Sequence, residues 1–231
     1  MAQTLYLVRH GECEGAGPGT LLGKTDVVLS ANGRRQAAAL RPLLPWGEGA
    51  RVVCSPMRRA RETAALAWAG ARPAGSEVLE EAEAVVEVES FATIDPDLAE
   101  IDFGQWEGRL FPELETQYPE LVAAWSEFRP DFVFPGGEGL GDFAERVVRA
   151  AGRLTVMEEP QVVAFTHGGV IRTLVCHFLG LPLRNYLLFD IAPASVTILR
   201  VWGERGVLSG LFSGDVLADR NGGWVWRRSS S

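Results

Sequence analysis

The chain is poor in cysteine, in histidine and in net positive charge, and each shortage excludes something. Its 231 residues include three cysteines, Cys13, Cys54 and Cys176. An odd number at wide spacing argues against a disulfide framework and for reduced thiols in a cytoplasmic protein, and none is spaced for a metal site. Acidic residues outnumber basic ones by 30 to 22, for a formal charge of −8 and a pI near 5.0. A nucleic-acid-binding surface is therefore not expected, although a local basic pocket stays open. No window holds 18 consecutive apolar residues, so no membrane helix is expected. Arg9 and His10 interrupt the only apolar run near the N-terminus, which argues against a signal peptide.

What remains is ordinary globular composition, with 47% hydrophobic residues and a mean hydropathy of +0.05. That length suits one large domain or two small ones. No repeat or linker divides it, so residues 1–231 are expected to form one domain, with 222–231 as a mobile polar tail. Strand and helix signals alternate. Strands are expected at 4–9, 51–54 and 161–166, with a late pair at 195–201 and 206–212. Ser30 reads as the cap of a helix through Arg35–Leu40. Ser55 reads as the cap of another, with Pro56 at its first position, running from Met57 to about Trp68. A helix from about Leu140 to Met157 places Phe143, Val147, Val148 and Leu154 near helical period, and a further helix runs from Val170 to about Leu179. This alternation predicts an α/β fold: a mostly parallel sheet in a three-layer α/β/α sandwich. Residues 70–97, with Glu77, Glu80, Glu81, Glu83, Glu87 and Glu89, are expected as a solvated acidic loop or hairpin.

Two of the three histidines share one setting. Leu5-Tyr6-Leu7-Val8 runs into Arg9-His10-Gly11, and Val162-Val163-Ala164-Phe165 runs into Thr166-His167-Gly168-Gly169. Each reads as a buried strand that delivers an imidazole into a glycine turn at its carboxyl end, where open α/β sheets bind ligands. One such histidine alone would pass as a satisfied core residue. Two, one of them preceded by arginine, point to a single site for phosphate. Glycine after the imidazole lets the backbone turn and its N–H approach an oxyanion. His177, inside a helix beside Cys176 and Phe178 and without a glycine turn, fits a structural place.

Arg9-His10-Gly11-Glu12 followed by Thr166-His167-Gly168 resembles the histidine phosphatase superfamily, also called phosphoglycerate mutase-like. Gly23-Lys24-Thr25-Asp26 with Leu29-Ser30, Gly33 and Gln36-Ala37 resembles the segment that follows the first histidine there. Ser55-Pro56-Met57-Arg58-Arg59-Ala60-Arg61-Glu62-Thr63-Ala64 resembles its second arginine motif, and Leu98-Ala99-Glu100-Ile101-Asp102-Phe103-Gly104-Gln105-Trp106-Glu107-Gly108 the segment that supplies its acid. The matches stand in family order over most of the chain.

The resemblance implies a phosphoglycerate mutase-like fold and a histidine acid-type phosphatase acting on a small phosphorylated substrate, with no cofactor and no metal. It assigns His10 as the nucleophile, Glu100 as the proton donor and His167 as a third cation when protonated. Arg9, Arg59 and Gly168 bind phosphate, while Arg58 and Arg61 fit a surface better. The loops Pro18–Asp26 and Phe134–Glu138, with His167–Arg172, look most like those of α-ribazole phosphatases, which makes α-ribazole 5′-phosphate a candidate substrate. Two alternatives stand beside this reading. Glycolytic mutases of the family carry an asparagine where Ala16 stands, and an arginine pair where only Arg129 is present. A catalytically silent binding protein would lack His10, an arginine or the acid, and none is missing. A homodimer is among the assemblies the sequence allows.

Overall fold

A computed structural model describes residues 2–17, 19–47, 49–69 and 88–213, with the backbone at 217–218 and 224–225. Most of the acidic segment, and nearly all of the tail, lie outside the described residues. Six strands form the main sheet: β1 (Gln3–Arg9), β2 (Ala50–Cys54), β3 (Ala92–Ile94), β4 (Gln161–Thr166), β5 (Val196–Trp202) and β6 (Arg205–Phe212). They lie in the order β3-β2-β4-β1-β5-β6. The pairs β3/β2, β2/β4 and β4/β1 are parallel, whereas β5 and β6 join antiparallel at one side. The late strand pair thus extends a mostly parallel sheet, as the sequence predicts. Leu217–Ala218 and Trp224–Val225 pair separately as β7 and β8.

The apolar runs of β1 and β4 are buried on both faces, the usual state of strands inside a parallel sheet. Successive side chains alternate between faces. Leu5, Leu7, Val162 and Ala164 enter one core, against the helices Leu140–Thr155 (α5) and Gly168–Leu179 (α6). Val8, Val163 and Phe165 enter a second core on the other face, against Ala60, Ala64, Ala65 and Ala67. Those alanines belong to α2 (Arg58–Ala69), whose small residues admit close approach to the sheet. Other helices among the described residues include α1 (Ala31–Ala39), α3 (Phe111–Gln117) and α4 (Pro119–Ser126).

Three local details differ from the pattern-based reading. Helix α2 begins at Arg58, and its cap is remote: the Arg58 N–H donates to Asp26 Oδ1 at 2.8 Å. Ser55 still accepts from the Met57 N–H at 3.3 Å, but its hydroxyl is engaged by His167. In α5, Leu140, Phe143, Val147, Ala150, Ala151 and Leu154 are buried, whereas Val148 is exposed. Arg61 is largely buried and pairs with Glu89, so only Arg58 of the two flanking arginines is well exposed. The Ser30 cap is present, with its hydroxyl accepting from Gly33 N–H at 3.0 Å.

Candidate active site

Strands β1 and β4 are neighbours in register, with Arg9 opposite Thr166. Both histidines therefore leave the sheet side by side. The His10 N–H donates to Thr166 O at 3.0 Å, and the two imidazole centroids stand 5.2 Å apart. His10 Nδ1 lies 2.7 Å from Gly11 O, an acceptor only, so Nδ1 carries the proton and Nε2 keeps its lone pair. Gly11 is fixed in turn, because its N–H donates to Thr63 Oγ1 at 3.1 Å. Cys13 Sγ sits 3.5 Å from the same Nδ1, and burial pushes its thiol up to about 11.

His167 is wholly buried, and its Nε2 is 2.7 Å from Ser55 Oγ. The Met57 N–H donates to that oxygen, whose own proton can then go to Nε2. His167 then carries its own proton on Nδ1. Burial, first, and the nearby arginines hold both imidazoles well below the ordinary histidine value. Burial and the neighbouring arginines thus oppose the charged form that would make His167 a third cation.

Arg59 is fully buried. Its guanidinium donates to Thr25 O at 2.8 Å and Gly23 O at 2.7 Å. That loop is itself pinned by Glu107, whose carboxylate accepts from Gly23 N–H at 3.1 Å and Lys24 N–H at 2.8 Å. Gly23 is obligatory here, since a Cβ would run into Ile101 O and the Glu107 carboxylate. Arg9 donates to Ile191 O, and Gly168 packs on its guanidinium. Three buried nitrogens, Arg9 Nε, Arg59 Nε and His167 Nδ1, have no hydrogen-bond partner. Buried donors in proteins are nearly always satisfied, so a cluster of three calls for an acceptor.

Glu100 reaches the same place from the loop after β3. Its Oε2 accepts from Gly169 N–H at 2.9 Å and its Oε1 from Ile101 N–H at 3.1 Å. A Cβ on Gly169 would collide with this carboxylate. The loop is clamped by Arg146, which donates to Asp97 O, Ala99 O and Glu100 O and forms a two-bond pair with Glu138. Arg9, His10, Cys13, Ala16, Thr20, Leu22 and Glu100 line a cavity of about 360 Å³, within the size range of small-molecule sites.

The fold thus assembles His10, His167, Arg9, Arg59, Gly168 and Glu100, the residues singled out in the sequence. His177 is elsewhere, half-buried against Phe178. Ser55 was singled out only as a helix cap, Gly169 and Glu107 stand within the quoted motifs, and Arg146 was not singled out. Among the described residues no three His, Cys, Asp or Glu side chains group to hold a metal ion. No described helix is long and apolar enough to cross a membrane.

The pattern of the histidine phosphatase superfamily (branch 1) matches residues 5–213. The chain is 31% identical over 224 residues to the adenosylcobalamin/alpha-ribazole phosphatase of Salmonella typhimurium, covering 96% of this chain and 98% of that one. It is 31% identical over 206 residues to phosphoserine phosphatase 1 of Hydrogenobacter thermophilus, covering 88% and 89%. The crystal structure of the alpha-ribazole phosphatase from Shigella flexneri superposes with a TM-score of 0.72 at 25% identity, covering 94% of this chain and 100% of that one.

The crowding of Gly169 yields one expected outcome. Gly169→Ala displaces Glu100 and lowers phosphatase kcat/KM about a hundredfold, the lower range for loss of a general acid. Gly152→Ala, where a Cβ meets nothing within 4 Å, serves as the control. Equal activity in the two variants contradicts the placement of Glu100. A second outcome concerns pH. Both imidazoles have folded values below the ordinary one of about 6.5, so below that pH the unfolded chain binds protons that the folded chain does not. Stability therefore falls as pH drops from 7.5 to 5.5. Urea melts of wild type and His10→Asn check this, and an equal slope in both contradicts it.

Proposed function

The chain belongs to the histidine phosphatase superfamily, and on that premise we propose a metal-independent phosphomonoester hydrolase that works through a phosphohistidine at His10. The observation that carries this reading is the His10 tautomer. Nδ1 is committed to Gly11 O, and the free lone pair on Nε2 lies in a cluster of two guanidiniums and a second imidazole. Catalysis of phosphoryl transfer is chiefly positioning and electrostatic stabilisation, and planar arginine forks match the peripheral oxygens. Arg9 and Arg59, with His167 Nδ1, supply donors to those oxygens.

The reaction then proceeds in two steps. His10 Nε2 attacks phosphorus, the ester P–O bond breaks with its electron pair on the leaving oxygen, and Glu100 protonates that oxygen. Water next attacks phosphorus, the P–N bond breaks, Glu100 takes the water proton, and inorganic phosphate leaves. As the phosphoryl dianion binds, His167 is the group whose protonation the added negative charge favours.

The substrate is a small phosphorylated metabolite. α-Ribazole 5′-phosphate is the first candidate, because the alpha-ribazole phosphatases match nearly the full chain. Phosphoserine is the second, from the Hydrogenobacter relative. Water as acceptor fits better than a second substrate hydroxyl. Ala16 lines the cavity where mutases carry asparagine, and Arg129 is exposed and paired with Asp131 and Glu127. Residues 1–231 are read as one catalytic unit working in the cytoplasm.

Purified protein assayed with α-ribazole 5′-phosphate, phosphoserine and 3-phosphoglycerate plus catalytic bisphosphoglycerate tests the reading. The expected result is release of inorganic phosphate, unaffected by chelator and abolished in His10→Ala. Rapid formation of 2-phosphoglycerate with little free phosphate, or full activity in His10→Ala, overturns it.

A further inference from the structure

Glu100 has two backbone donors, Gly169 N–H and Ile101 N–H, one on each carboxyl oxygen. Such a pair suits a carboxylate. Each carboxyl oxygen keeps a second lone pair, which can take a proton or a further donor. A hydroxyl can donate to the ionised form and accept from the protonated one. Tyr186 brings a hydroxyl to this spot. A Cβ on Gly169 would lie 2.8 Å from Tyr186 Oη and 3.0 Å from Glu100 Cδ, so phenol and carboxyl flank one point above the first turn of α6.

The ring is held in place. Tyr186 belongs to the 3₁₀ turn Leu183–Leu188. Phe128 packs against it with centroids 5.0 Å apart, and Phe128 takes a left-handed φ of 49° to do so. A bulky residue rarely adopts that conformation, so its backbone strain is maintained by the surrounding packing. The Arg172 guanidinium lies 5.4 Å from the ring centroid and is anchored by its Nε to Phe189 O at 2.9 Å. Burial first, then Glu100, push the phenol well above its ordinary value, while a hydrogen bond from Arg172 opposes the rise. The phenol thus stays protonated.

We propose that Tyr186 is a positioning residue for Glu100: its hydroxyl, on a ring held between Phe128 and Arg172, keeps the carboxyl on the leaving-group side of His10. The proposal rests on the reading of Glu100 as proton donor. Tyr186 itself gains and loses no proton. Its hydroxyl donates to the carboxyl, which leaves the Glu100 proton directed at the leaving oxygen.

The test compares kcat/KM, which reports phosphoryl transfer to His10, for an alkyl phosphate and an activated aryl phosphate. Glu100→Gln calibrates the assay, with a large loss on the alkyl ester and a small one on the aryl ester. Tyr186→Phe keeps the ring and is expected to lose about tenfold on the alkyl ester and under about twofold on the aryl ester. The double variant is expected to lose no more than Glu100→Gln alone, since the hydroxyl acts through that carboxyl. Should Tyr186→Phe fail to fold, Arg172→Met is expected to show the same ester selectivity at smaller size. Equal loss on both esters, no loss, or full additivity with Glu100→Gln overturns the role of Tyr186. Equal loss on both esters in Glu100→Gln overturns the proton-donor reading, and the proposal falls with it.

Discussion

A fully buried guanidinium with no salt bridge among the described residues must draw acceptors from somewhere, and Arg59 draws them from the main chain. Gly23 O and Thr25 O take its two terminal nitrogens. Burying a charge costs several kcal/mol unless such bonds are made. Much of the surrounding structure serves those two carbonyls. Glu107 fixes the loop that bears them, and Asp26 at its end caps the helix that carries Arg59. Loop and helix therefore specify each other's position. Thr63, one turn along α2, closes the circuit by accepting from Gly11 beside His10.

The electrostatic consequence is a site built for an absent sign of charge. Arg9 and Arg59 both depress the two histidines, and Glu100 is the negative charge that most favours both guanidiniums. Preorganised donors of this kind need no reorganisation as charge develops on a transferring group. The same arrangement keeps His10 unprotonated and nucleophilic. A histidine that is neutral because it is buried and faced by cations is at once a better nucleophile candidate and a liability in acid.

Much of this was legible in the residue order because the sheet is buried on both faces. Continuous apolar runs mark β1 and β4, and the β4 bounds of 161–166 match the expected ones. The histidine turns at their ends follow from register. What escaped depends on contacts between distant segments. Ser55 has the pattern of a helix cap, yet its hydroxyl is shared with a histidine 112 positions away. Arg146 is one of several arginines on α5, alongside Arg149 and Arg153, and nothing local marks it as the clamp of the Glu100 loop. Tyr186 sits in a short 3₁₀ turn with no motif around it.

The central claim is that His10 takes the phosphoryl group. Rapid acid-free quenching of the protein with a ³²P-labelled ester, followed by peptide mapping, addresses it directly. The account predicts label on the peptide containing His10, stable in base and lost in acid as a phosphoramidate is. Label on a serine or threonine, or turnover with no labelled protein at any quench time, would contradict it.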